Sequence, residues 1–93
     1  GGHALLRTDT LYREIVLLSK RLTEQGFTLI SGGGPGAMEA THLGAWMAGR
    51  SMEETEEALR MLVDFPTFKD DGWLVSAFRV IQRFPQRYYQ SLG

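Results

Sequence analysis

The sequence predicts an α/β fold that is mostly helical and contains one clear strand. Two observations support this prediction. An amphipathic segment ends at Gly26 and is followed by Phe27–Ser31, a short apolar run typical of a buried strand. A glycine-rich turn over residues 32–36 then leads into strong helix formers. Because a buried strand needs neighbours for its backbone groups, we expect it to pair with sequence outside this chain or with another chain.

Length and composition are those of one small folded domain. The 93 residues, 43% hydrophobic and 23% charged, are expected to form a single, incomplete domain over residues 1–93. A net charge of -1 provides no basic field for nucleic acid, which is therefore not an expected partner. No apolar run approaches the ~20 residues of a membrane-spanning helix, so no membrane partner is expected. The chain has no cysteine, which permits a reducing interior, and we expect a cytoplasmic location.

The first helix is predicted over residues 10–25. Thr8, Asp9 and Thr10 supply capping oxygens at its start, and Gly26 suits a left-handed cap at its end. Apolar residues recur at the spacing of one helical face, which is the predicted core face: Leu11, Ile15, Leu18 and Leu22.

Three further helices are predicted after the glycine-rich turn. The first of them covers Ala37–Ala48 and carries small side chains that allow close packing. Ser51 and Glu54 form a capping box that opens a helix reaching about Val63. Residues 64–72 form a loop, and the last helix follows, with these apolar positions: Trp73, Ala77, Val80, Ile81, Phe84 and Tyr88.

The glycine-rich turn is predicted to hold a phosphate group. Amides at the start of a helix lack intrahelical acceptors and point outward at the positive end of the helix dipole, so an anion can bind them. Ala37 follows Gly36 where a Walker loop has Lys, and Glu53 does not end a second strand as an NAD site requires. A purely structural tight turn is the alternative interpretation.

The candidate site covers the turn and the first residues of the helix after it. For Glu39, the alternatives are a dipole or capping role and a contact to ribose or base. No metal site is expected, because His42 beside Glu39 supplies only two ligands, and no catalytic residue can be assigned. The predicted phosphate- or nucleotide-binding residues in this region are Gly32, Gly33, Gly34, Pro35, Gly36, Ala37, Met38 and Glu39.

The run from Gly32 to Ala40, Gly-Gly-Gly-Pro-Gly-Ala-Met-Glu-Ala, resembles the first motif of the LOG-like proteins, a family also labelled lysine decarboxylases. The resemblance covers roughly Gly1–Arg50. It implies a partial Rossmann-like nucleotide-binding domain, a nucleoside monophosphate ligand and a homo-oligomer. It also implies hydrolysis of the N-glycosidic bond without a cofactor, and a place for Gly2 near the nucleotide. The family's second signature, Pro-Gly-Gly-x-Gly-Thr-x-x-Glu, is absent together with the arginine preceding it, so the resemblance implies only the phosphate-binding portion of such an enzyme.

Two other functions compete with nucleotide binding. A non-catalytic helical interaction or oligomerisation module would use an aromatic surface formed by Trp73, Phe78, Phe84, Tyr88 and Tyr89. RNA binding would use a basic stripe formed by Arg79, Arg83 and Arg87. A solvated helix face is the simpler explanation of that stripe, because the chain carries no net positive charge.

Overall fold

A computed structural model describes residues 5–29 and 34–87, and the regular structure within them is entirely helical. Four helices follow one another along the chain: α1 at Thr10–Glu24, α2 at Pro35–Trp46, α3 at Met52–Leu62 and α4 at Trp73–Arg83. All four were predicted from the sequence, and their bounds lie within a few residues of the predicted ones except at the end of α4, which ends at Arg83; the predicted position Tyr88 lies outside the described residues. The predicted side-chain cap of α1 does not form, because Asp9 makes no capping hydrogen bond.

The predicted strand is wrong for its described part, and so is the α/β, Rossmann-like fold class. Residues 27–29 are irregular, and Phe27 is 56% exposed; Ile30 and Ser31 lie outside the described residues. β-propensity expresses how well a side chain fits a paired, half-buried surface, and one segment cannot form that surface alone. The described residues contain no other extended segment that pairs with 27–29, so they form a helical assembly without a sheet.

Helices α1 and α2 pack closely because Gly44 has no side chain. A Cβ atom at Gly44 would lie 2.3 Å from the carbonyl oxygen of Val16 and 2.6 Å from the Cβ of Ser19. The Ser19 hydroxyl donates a hydrogen bond to the carbonyl oxygen of Thr41 at 2.6 Å, which crosses the same interface. The small residues predicted to allow close approach therefore do so, against another helix.

The predicted core face of α1 is wrong in part, since Ile15 packs against the core but Leu11 and Leu18 are exposed. Leu11 and Leu18 are 55% and 56% exposed, whereas the buried face turned toward α2 consists of Tyr12, Val16, Ser19, Lys20 and Thr23. Two of these residues have hydrogen-bond acceptors on α2, since Ser19 donates to the Thr41 carbonyl and Tyr12 donates to Glu39. The buried Thr23 hydroxyl has no hydrogen-bond partner among the described residues. The aliphatic stripe lies on an adjacent side of the helix.

Helices α3 and α4 complete the core. The capping box is confirmed: Ser51 Oγ accepts from the Glu54 amide at 3.1 Å, and the Ser51 amide donates to Glu54 Oε1 at 3.2 Å. Phe84 is fully buried just after α4, and its carbonyl oxygen accepts from the Trp46 indole at 2.5 Å. The buried apolar cluster consists of Tyr12, Val16, Ala40, Leu43, Met47, Ala58, Leu59, Leu62, Val80 and Phe84.

Candidate functional site

Helix α2 begins at Pro35, directly after a glycine in the left-handed region. Gly34 has a φ of 91°, and a Cβ there would meet no atom within 4 Å, so its conformation rather than crowding favours glycine. No side chain of the described residues caps α2, and its first turn contains no acidic residue. The start of α2 therefore has the features of an anion-binding helix terminus. Of the other predicted site residues, Gly2, Gly32 and Gly33 lie outside the described residues.

Gly36 has a packing role in the described part of the turn. A Cβ at this position would lie 1.9 Å from the carbonyl oxygen of Leu5, and 2.7 Å from its carbonyl carbon. The segment before α1 therefore runs directly against the first turn of α2. This contact supports the structural interpretation for Gly36.

The carboxylate of Glu39 is fully engaged by two side chains. Arg7 binds it in a bidentate manner, from Nε to Oε1 at 2.6 Å and from Nη2 to Oε2 at 2.7 Å. The Tyr12 hydroxyl donates to Oε1 at 2.6 Å. Glu39 is the fifth residue of the helix rather than part of its first turn, and its observed contacts form an ion pair within the fold.

Arg7 joins four parts of the structure. Its Nη1 donates to Ser76 Oγ at 2.9 Å and to the Phe65 carbonyl at 3.0 Å, and Nη2 donates to the Trp73 carbonyl at 3.1 Å. The guanidinium also stacks over the Trp73 ring, 4.7 Å from its centroid. Only 1% of the Arg7 side chain is exposed, against 16% for Glu39. A buried arginine with these partners fixes the segment before α1 against both α2 and α4.

Sequence reasoning missed Arg7. Its partners Glu39 and Ser76 lie 32 and 69 residues away, so no spacing along the chain marks the residue. The only local signal is an arginine placed just before the α1 cap, which is common on protein surfaces.

The Tyr12 hydroxyl stays protonated as a donor in this network. Burial raises the pKa of Tyr12 strongly, and the negative charge of Glu39 raises it further, while Arg7 opposes the effect. A phenol held in this state is a stable hydrogen-bond donor and a poor general base. The Arg7–Glu39–Tyr12 cluster therefore has the chemistry of a structural anchor.

The described residues form only a small crevice at the glycine-rich turn and a larger cavity elsewhere. The crevice beside Pro35 and Gly36 has a volume of about 10 Å³, which is close to the lower limit for one water molecule. An apolar cavity of about 140 Å³ lies between α2 and α4, with Leu43, Trp46 and Val80 among its lining residues. A ligand phosphate at the turn would therefore have to rest on the surface of the described residues.

The other candidate groups are placed as follows. His42 is exposed, and no group of three or more His, Asp or Glu residues within 5–29 and 34–87 could hold a metal ion. Arg83 pairs with Glu57 at 3.2 Å, and Arg87 donates to the Gly49 carbonyl at 3.3 Å. No helix in this part of the chain is long and apolar enough to cross a membrane.

The predicted aromatic surface does not form as one patch. Phe84 is fully buried, and Trp73 is half-buried under Arg7, whereas Phe78 is 55% exposed. Tyr88 and Tyr89 lie outside the described residues. Instead, α4 exposes an aliphatic and aromatic stripe formed by Leu74, Val75, Phe78 and Ile81.

Comparisons with protein-family models, with curated proteins and with solved structures find no match for this chain.

Proposed function

We propose that the turn entering α2 binds the 5′-phosphate of a nucleoside monophosphate. In this proposal the chain is the phosphate-binding portion of a LOG-like phosphoribohydrolase. The observation that carries it is the start of α2, where Gly34 at positive φ and Pro35 open a helix that receives no side-chain cap from residues 5–29 and 34–87. The resemblance of the Gly32–Ala40 run to the LOG-like motif supplies the ligand class.

The electrostatics of α2 support an anion at this position. Helix geometry leaves the amides of Gly36 and Ala37 without intrahelical acceptors, and the helix dipole places partial positive charge there. The nearest acid on the helix, Glu39, is neutralised by its ion pair with Arg7, so it offers little repulsion to a phosphate.

The implied reaction breaks the bond between the base and C1′ of ribose. Water supplies the hydroxyl group to C1′ and a proton to the departing base, giving ribose 5-phosphate and the free base. The turn would contribute by fixing the phosphate and thereby the position of the sugar. Residues that activate the water are not assigned in this chain. The chain has no cysteine, which permits a reducing interior, and the cytoplasm is the proposed location.

The test is thermal unfolding with AMP, CMP or ribose 5-phosphate, each at millimolar concentration. A ligand present at ~10 times its Kd stabilises the folded state by about 1.4 kcal/mol. For a domain of this size that corresponds to a rise of several degrees in Tm. A similar rise in Tm with each of the three compounds would indicate that the chain recognises the ribose phosphate they have in common.

A matched pair of glycine variants separates ligand binding from folding. Gly34 and Gly26 both have positive φ, 91° and 95°, and both have open space where a Cβ would be placed. Alanine rarely adopts positive φ, so it is expected to cost about 1–3 kcal/mol of stability at either position. Gly34→Ala should abolish the ligand-induced rise in Tm, whereas Gly26→Ala should retain it. An equal rise in both variants, or no rise in the parent chain, would contradict the proposal.

A second candidate is a non-catalytic helical interaction module. It is favoured by the four exposed apolar residues of α4, which lie on one side of that helix: Leu74, Val75, Phe78 and Ile81. In this case nucleotides would leave Tm unchanged, and Phe78→Asp would remove association with a partner without lowering the stability of the isolated chain.

A further inference from the structure

The outer face of α1 carries an aliphatic stripe of which only a part, Ile15, packs against the core. Leu11 and Leu18 are 55% and 56% exposed, while Ile15 and Leu22 on the same side are half-buried. A different side of α1, which contains the buried residue Val16, packs on α2. Helix α1 therefore has two apolar sides: one packs on α2, and the other contacts the core at Ile15 and leaves Leu11 and Leu18 exposed.

The spacing of the stripe is that of a coiled-coil seam. The intervals between Leu11, Ile15, Leu18 and Leu22 are four, three and four residues. In heptad terms, Ile15 and Leu22 occupy a positions, while Leu11 and Leu18 occupy d positions. A repeat of this period keeps the stripe facing a partner helix over its whole length, about 22 Å for a helix of 15 residues. The face thus fits another α-helix.

The charges beside the seam identify the partner as a second copy of α1 running in the opposite direction. Glu14 and Arg21 occupy the two g positions. In an antiparallel pair with Leu11 opposite Leu22 of the other copy, g positions face each other, so Glu14 of each copy lies opposite Arg21 of the other. The two ion pairs are related by the two-fold axis. Among the described residues no salt bridge involves Glu14 or Arg21, although the positive charge of Arg21 helps to lower the pKa of Glu24 on the same helix.

A parallel pair offers no such match. In that arrangement g positions face e positions, and Glu14 would face Ser19, which is buried and already donates to the Thr41 carbonyl. Only the antiparallel orientation joins opposite charges across the seam while leaving the α1–α2 interface intact.

We propose that two copies of this chain associate through antiparallel pairing of their α1 helices. The seam consists of Leu11, Ile15, Leu18 and Leu22, flanked by two Glu14–Arg21 pairs between the copies. The α2 helices remain on the outer sides of the pair, which gives a four-helix arrangement. This interface goes beyond the proposed nucleotide site and does not depend on it.

Sedimentation equilibrium over a range of chain concentrations tests the interface. The mass is expected to rise from 10.5 kDa toward twice that value as concentration increases. Leu18→Glu should keep the chain monomeric. Leu74→Glu is the matched control, because Leu74 is also 56% exposed but lies on α4. Circular dichroism and thermal unfolding should show that both variants retain the fold.

Charge exchange tests the orientation. Glu14→Arg or Arg21→Glu alone replaces both attractive pairs by like charges, and is expected to raise the dimer Kd about tenfold or more at low salt. The double variant Glu14→Arg/Arg21→Glu restores opposite charges and should recover the parent Kd. The proposal is overturned if the parent chain is monomeric throughout, if Leu74→Glu rather than Leu18→Glu prevents association, or if the double variant is as weak as the single ones.

Discussion

The buried ion pair between Arg7 and Glu39 leads to the most demanding prediction. Arg7→Met keeps much of the aliphatic volume but leaves the Glu39 carboxylate, whose side chain is only 16% exposed, with Tyr12 as its one remaining partner. Breaking one side of a buried pair typically costs about 3–5 kcal/mol, because an uncompensated charge remains. A domain of 93 residues has roughly 5–14 kcal/mol in total, so the loss should be large.

Urea unfolding followed by circular dichroism measures this loss. With a slope of about 1–3 kcal/mol per molar urea, Arg7→Met should lower the midpoint by at least ~1 M. The double variant Arg7→Met/Glu39→Gln removes the buried charge and still offers Tyr12 an acceptor. It should therefore be more stable than Arg7→Met alone. The free energy lost by the double variant should therefore be smaller than the sum of the losses for the two single variants, and the difference is the coupling free energy between Arg7 and Glu39.

Arg13→Met is the matched control for Arg7→Met. Arg13 also pairs with a glutamate, Glu56, but its side chain is 45% exposed, so the loss should stay below about 1 kcal/mol. Equal losses for the two arginine variants would refute the reasoning. The reasoning would also be refuted if the destabilisation of Arg7→Met/Glu39→Gln equalled the sum of those measured for Arg7→Met alone and Glu39→Gln alone.

Two further predictions concern packing and pH. Gly44→Ala should destabilise the chain by about 1–3 kcal/mol in urea unfolding, because the added Cβ meets the Val16 carbonyl at 2.3 Å. No loss would show that α1 and α2 can separate freely. Burial alone would raise the pKa of Glu24, but hydrogen bonds from Lys20 and the Gly49 amide lower it on balance. Because the folded pKa lies below the unfolded value, this stabilisation is present above pH ~4.3 and is lost as the pH falls through the folded pKa. Glu24→Gln should therefore lose less stability than the parent chain on acidification, and identical acid profiles would contradict the assignment.

Local signals in the sequence predicted the helices well. The Ser51–Glu54 capping box encodes its own geometry within four residues, and it forms as predicted. The strand at 27–31 was predicted from composition alone, whereas a strand forms only when another segment pairs with it. Within the described part of that segment, residues 27–29, no such pairing occurs, and this is why the predicted fold class was wrong.

The face of α1 that packs in the core could not be chosen from periodicity. The stripe containing Leu11 and Leu18 is more apolar than the face containing Ser19 and Thr23, yet the second face is buried. That choice depends on the shape of α2, where Gly44 admits a close neighbour. The position of Arg7 depends in the same way on tertiary structure, since its partners are distant in sequence.

The hydrogen bonds of Arg7 to distant parts of the chain also affect local unfolding. One guanidinium ties the segment before α1 to the first turn of α4 through Trp73 and Ser76. Release of the N-terminal segment must therefore break hydrogen bonds at the opposite end of the chain. In hydrogen-exchange experiments, amides near the start of α4 should become exchangeable together with those around Arg7, as one cooperative unit rather than as two independently fraying ends.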